Sequence, residues 1–119
     1  MSAQKQALRT VTARINARDI DGLETLFTED FALHDPDTPD WPRGHAGARK
    51  MLRSIVDLGP DLVLQALDMI EENDRVTVRW LFTWTYMAMP QRAAVVAIYR
   101  FEGGLIAEDW GVSARTGWP

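Results

Sequence analysis

The stretch from Arg75 to Met87 constrains the fold more than any other part of this chain. Val76, Val78, Trp80, Phe82, Trp84 and Tyr86 fall at every second position, with Thr77, Arg79, Thr83 and Thr85 among the residues between them. A period of two is the signature of a strand with one apolar face. A strand this long, carrying aromatic rings on one side, needs neighbouring strands beside it and a second layer over the rings.

The flanking sequence supplies both. Leu62, Leu64 and Ala66 alternate with Val63, Gln65 and Leu67, and Glu71-Glu72-Asn73-Asp74 makes a polar turn into the long strand. After it, Ala88-Met89-Pro90-Gln91 reads as a turn. The returning strand sets Ala93, Val95, Ala97, Tyr99 and Phe101 against Ala94, Val96, Ile98 and Arg100. Gly103-Gly104 makes the last hairpin, into Leu105 to Val112.

The first half of the chain is helical in period. Leu8, Val11 and Ile15 form one apolar stripe after Ser2, a candidate N-cap, on a helix ending near Ala17. Asp21 and Glu24 have the spacing of a capping box before Leu23, Leu26 and Phe27, which predicts a short second helix. Met51, Leu52, Ile55 and Val56 mark a third, stopped by Gly59-Pro60. His45 is placed at its start. The expected fold is α+β in the order α-α-β-α-β-β-β-β: one domain over residues 1–119, with a curved antiparallel sheet packed on three helices.

Between the second and third helices lies a short strand, Phe31-Ala32-Leu33-His34-Asp35-Pro36. If Phe31 and Leu33 face the core, so does Asp35, and proline then forces an extended exit. A carboxylate at the edge of an apolar cavity is a candidate catalytic base, because desolvation raises its proton affinity. The alternative is that Asp35 caps the loop that follows, as Asp-Pro turns often do. Pro36 to Gly44 contains three prolines and Trp41, a stiff segment suited to covering a pocket mouth, with Trp41 as lid. His34 points away from Asp35 by alternation.

The remaining bounds are compositional. At 119 residues, 46% apolar and 25% charged, the chain can build one core. A net charge of −4 with scattered Lys and Arg gives nucleic acid no electrostatic footprint. With no cysteine, disulfides, thiolate metal sites and a cysteine nucleophile are excluded, and cytoplasm is the expected location. The two histidines, His34 and His45, lack metal-ligand spacing, so neither metal nor other cofactor is expected. The N-terminal residues lack the continuous apolar run of a signal peptide or membrane span.

Small residues opposite the aromatic row, Ala93 and Ala97 with Gly111 on the last strand, allow either tight interdigitation or an open hollow. The hollow is expected to be lined by Ile15, Phe31, Leu33, Trp41, Met51, Ile55, Trp80, Phe82, Trp84, Ala97, Phe101 and Gly111. The last strand has two phases, one turning Asp109 and Gly111 inward and the other Trp110. In the first, Asp109 becomes a second carboxylate able to pair with Asp35. Tyr86 and Tyr99 fall on faces assigned to the interior, where either phenol could donate to a developing oxyanion.

Taken in order, Ile15 to Leu23, Phe31 to Pro36, Arg43-Gly44 and Tyr99-Arg100-Phe101 to Trp110 resemble the nuclear transport factor 2-like superfamily across nearly the whole chain. Within it the chain looks most like the SnoaL-like polyketide cyclase group, and its N-terminal half is also similar to ketosteroid isomerase. The resemblance implies a cone-shaped α+β barrel, commonly a homodimer, with an apolar pocket. It gives Asp35 the place of the isomerase's general base. The isomerase's oxyanion donors fall at Val11 and Ala97, neither of which can donate, at a cost of ~10² to 10³ in rate each. The cyclases' acid/base carboxylate falls near Gly111 and its His partner near Ala97, so both are missing. With Arg79 and Arg100 outward, the Asp-Arg-Asp set of limonene epoxide hydrolases is not formed.

The expected function is cofactor-free acid/base chemistry of isomerase, cyclase or lyase type on a hydrophobic, ring-containing or polyketide-like small molecule. Asp35 is the expected base, assisted by Asp109, Tyr86 or Tyr99. Against this stand a non-catalytic ligand-binding or dimerisation module and a cyclase with relocated groups.

Overall fold

A computed structural model describes residues 2–119. Helix α1 (Ala3–Asn16) begins where Ser2 Oγ accepts the Lys5 N–H at 3.0 Å, and it buries Leu8, Val11 and Ile15. Helix α2 spans Gly44–Val56. Five strands follow the chain: β1 (Phe27–His34), β2 (Val63–Glu72), β3 (Arg75–Tyr86), β4 (Met89–Glu102) and β5 (Leu105–Ala114). They form one curved, unclosed sheet in the order β1-β5-β4-β3-β2, with the two helices against its concave face.

Three details differ from the expectations above. The second helix is a single 3₁₀ turn, Leu23–Leu26, because β1 begins at Phe27 and leaves no length for more. Its cap is Gly22 in the left-handed region with no side-chain bond, so Asp21 and Glu24 make no capping box. The sheet is mixed rather than wholly antiparallel. After β1 the chain crosses through α2 to the far edge as β2, and β5 fills the place beside β1, running parallel to it. The third difference lies between β3 and β4. The turn is the tight pair Met87-Ala88, both at positive φ (50° and 63°), and Tyr86 pairs with Met89.

Two bulges set which side chains face inward. Leu67 is an extra residue between the Ala66–Trp80 and Asp68–Arg79 pairs, and Met69 thereby returns to the inner side. Ala107 is likewise extra between Phe101–Ile106 and Arg100–Glu108. An extra residue in one strand reverses the facing of everything beyond it. Without Ala107 the Gly103-Gly104 hairpin would set Asp109 opposite Ile98 on the outer face; with it, Asp109 pairs with Tyr99 and Gly111 with Ala97.

The second layer is anchored by polar contacts. The Asn16 amide donates to the Leu64 carbonyl at 2.9 Å and accepts the Leu64 N–H at 2.8 Å, tying the end of α1 to β2 as an extra strand would. Arg18 donates to the carbonyls of Pro60 and Leu62. Trp41 is pinned by its indole N–H to the Gly47 carbonyl at 3.0 Å, with Lys50 over its ring. Gly47 is required there, since a Cβ would lie 1.9 Å from the Pro42 carbonyl oxygen. On the convex face Arg100 and His34 both bind Glu108, at 2.6 and 2.8 Å, and Trp110 stacks on His34. Past β5 the chain folds back, and the Trp118 indole donates to the Trp80 carbonyl at 2.9 Å, with Arg79 over its ring. No helix among the described residues is long and apolar enough to cross a membrane.

Candidate functional site

A cavity of about 270 Å³ lies between the concave face of the sheet and the two helices. Helical spacing puts Leu8, Val11 and Ile15 of α1 and Met51, Leu52 and Ile55 of α2 on its roof. Strand alternation puts Trp80 and Phe82 of β3 and Val95, Ala97 and Tyr99 of β4 on its floor. Leu33, Asp35, Thr38 and Trp41 close one side, where β1 runs into the proline-rich loop.

Of the residues expected in the hollow, Ile15, Leu33, Trp41, Met51, Ile55, Trp80, Phe82, Ala97 and Gly111 line this cavity, as do Asp35, Asp109 and Tyr99. Four do not. Tyr86 is 55% exposed, because the tight turn at Met87 leaves it at the tip of the hairpin beyond the second layer. Phe31 is buried one pair deeper than Leu33, its ring edge-on to Phe27 at 4.9 Å. Trp84 is buried under the Arg115 guanidinium, and Phe101 is packed at the other end of β4, beside the β4–β5 hairpin. These three rings are core. Sequence reasoning left out several further lining residues, among them Leu8, Val11, Thr38, Ser54, Leu64 and Val95. Strand alternation already marks Leu64 and Val95 as inward; Thr38 and Ser54 carry no such signal.

Among the described residues, Asp109 is the one buried charged side chain, with 6% of its surface exposed. The Ala107 bulge aims it inward, and its carboxyl reaches the space above Gly111, where its Oδ1 lies 3.5 Å from where a Cβ would stand. Ala97 and Gly111 are small and leave that space open: a Cβ added to Gly111 would meet the Ala97 methyl at 3.6 Å. Desolvation, and then the charge of Asp35, push the Asp109 carboxyl from the ordinary aspartate value of 3.8 up to about 7, with no hydrogen bond to offset them.

Beside it, Tyr99 is buried, with 9% of its surface exposed. Burial raises its phenol well above the usual value, and the Asp109 charge raises it further. The Trp80 indole N–H donates to the Tyr99 hydroxyl oxygen at 2.9 Å. The phenol is an acceptor in that bond, which leaves its own proton to be offered to another group. The Thr38 hydroxyl, also against the cavity, is buried without a partner. Asp35 is half-buried, and its Oδ1 accepts the Asp37 N–H at 2.9 Å, the loop-capping role open to an Asp-Pro turn. Among the described residues no three His, Cys, Asp or Glu side chains gather as a metal site needs.

A curved, unclosed sheet covered by two helices is the cone fold of the nuclear transport factor 2-like proteins. Within that class the chain belongs to the SnoaL-like domain family, which its residues 8–109 match. No curated protein matches the chain at a significant level. Among solved structures it is similar to wild-type IdmH of Streptomyces antibioticus, with 21% identity over 92% of this chain and 91% of that one (TM-score 0.76). A SnoaL-like polyketide cyclase of Agrobacterium tumefaciens shares 20% identity over 97% and 94% (TM-score 0.79). AclR of Streptomyces galilaeus shares 23% over 94% and 79% (TM-score 0.77). At such identities these likenesses show the fold alone.

Proposed function

We propose that the chain is an enzyme that moves a proton on a hydrophobic, ring-containing small molecule without a cofactor, with Asp109 as the proton carrier. The observation that carries this reading is the Asp109 carboxyl: buried, unpaired and facing an apolar cavity. A carboxyl poised at about 7 holds both forms in quantity near neutral pH. Its anion is a stronger base than an ordinary carboxylate, and its acid form can return the proton. In an enolisation, Asp109 takes the proton from a carbon next to a carbonyl, and the C–H electrons move into the enolate. The Tyr99 phenol, its lone pair engaged by Trp80, hydrogen-bonds the oxygen where that charge collects. Return of the proton from the acid form of Asp109 to the opposite face of that carbon, or to the remote carbon of a conjugated dienolate, completes an isomerisation. Asp35 keeps a role at the side of the cavity, as the charge that holds Asp109 high or as a second base.

One of the similar structures is a SnoaL-like polyketide cyclase by name, and that likeness of fold supports a substrate of polyketide type. The convex sheet face, where Val96, Ile98 and Val112 stand exposed, is proposed to pair two copies as a homodimer.

The test is proton exchange rather than a guessed substrate. Incorporation of solvent deuterium beside the carbonyl of 2-tetralone, followed by NMR, should be accelerated by the protein with an apparent pKa near 7. Asp109→Asn should lower that acceleration by roughly 10² to 10⁴-fold. Equal rates for Asp109→Asn and the unaltered protein would remove Asp109 from the mechanism, and no acceleration over buffer on this and related cyclic ketones would leave a ligand-binding module.

A further inference from the structure

Among the cavity's lining residues there is no Lys, Arg or His. Its only charged side chains are Asp35 and Asp109. Lys50 and Arg115 are exposed and lie over the Trp41 and Trp84 rings, at 4.5 and 5.1 Å, and neither lines the cavity. The two indole N–H groups of the lining are spent on protein acceptors, Trp41 on the Gly47 carbonyl and Trp80 on the Tyr99 hydroxyl. What the wall offers a ligand is therefore a phenol proton, the Thr38 and Ser113 hydroxyls and two carboxyl groups, set in aliphatic and aromatic surface.

We propose that this cavity selects by charge: it admits uncharged one- or two-ring compounds bearing a hydroxyl or carbonyl oxygen, and rejects the corresponding carboxylates. An anion entering the site meets two acids and finds no counter-charge, and in a space shielded from water that repulsion is only weakly screened. An uncharged oxygen suits the same groups. A carbonyl accepts from Tyr99 and from the acid form of Asp109, and a hydroxyl accepts from the phenol while donating to the carboxylate. The size agrees, since about 270 Å³ is just under the range of drug-sized pockets, roughly 300–1,000 Å³. The proposal rests on the cavity being the substrate site, and it specifies the class of molecule that the site takes.

Isothermal titration calorimetry with three probes of one ring system tests it. At pH 8, 2-naphthol should bind, and 2-naphthoate should bind weaker by a factor on the order of 100. Asp109→Asn should narrow that gap. Because the Asn variant alters a buried group, Ser113→Lys provides a second measurement: Ser113 is exposed at the cavity's edge, and a cation there should recover naphthoate without disturbing the core. Equal affinities for naphthol and naphthoate in the unaltered protein would overturn the proposal. So would tighter binding of (2-naphthyl)methylammonium than of naphthol, which would make the site one for amines. Neither result depends on turnover, so a failed exchange assay and a failed charge rule are distinguishable.

Discussion

At the scale of single residues, the burial of Asp109 makes stability depend on pH near neutrality. Its folded value lies above that of the unfolded chain, so between pH about 4 and about 7 the folded state keeps a proton that the unfolded state has released. Stability therefore falls as pH rises through that window, by on the order of 4 kcal/mol once the group is ionised in both states. Asn has the same shape and no charge. Asp109→Asn is expected to melt higher than the unaltered protein at pH 8.5, with the difference shrinking or reversing toward pH 4, in thermal unfolding followed by circular dichroism. A constant difference across that range would mean that Asp109 is not held near neutrality. Such a group destabilises the fold wherever it is charged.

At the scale of elements, the β3–β4 hairpin is the strained piece. Two-residue turns of this hand are ordinarily built from Asn and Gly, yet here Met87 and Ala88 both sit in the left-handed region. Left-handed backbone costs residues with a Cβ roughly 1–2 kcal/mol each. Replacing the pair by Asn-Gly should stabilise the protein by about 1–2 kcal/mol in urea denaturation, without altering ligand binding, because neither residue lines the cavity. This turn also shows what the sequence could convey. The long alternation of β3 and β4 is legible, as are α1, with its cap, and α2, because period and burial coincide there. The turn between the strands falls earlier than its residues suggest, since Met87-Ala88 carries no turn chemistry and Met89-Pro90 does. The phase of Asp109 is undecidable from the sequence for a related reason: Ala107 looks like any strand residue, and only its place as a bulge, with Ile106 and Ala107 both buried, turns the acid inward. Asp35 is easier to see, and one of its oxygens is occupied by its own loop.

At the scale of the whole molecule, the sheet is curved on one side around the cavity and open on the other. Its convex face holds a ladder of ions, Arg79 with Asp68 and Arg100 with Glu108, interrupted by exposed Val96, Ile98 and Val112. Apolar residues placed among paired charges suit a surface that meets its own copy, because each ion pair can be matched by the two-fold partner. Sedimentation velocity at micromolar concentration should give a dimer, and Val96→Lys with Ile98→Lys should return it to monomer with the cavity intact. A single monomeric species for the unaltered protein would withdraw the pairing.

Trp118 links the outer side of the sheet to the cavity wall. Trp118 holds the carbonyl of Trp80, and the ring of that same Trp80 holds the phenol of Tyr99. Trp118→Phe, which keeps a ring and gives up the N–H, should leave the Trp80 carbonyl unanswered and loosen the seat of the Tyr99 phenol, read as weaker ligand binding in the cavity.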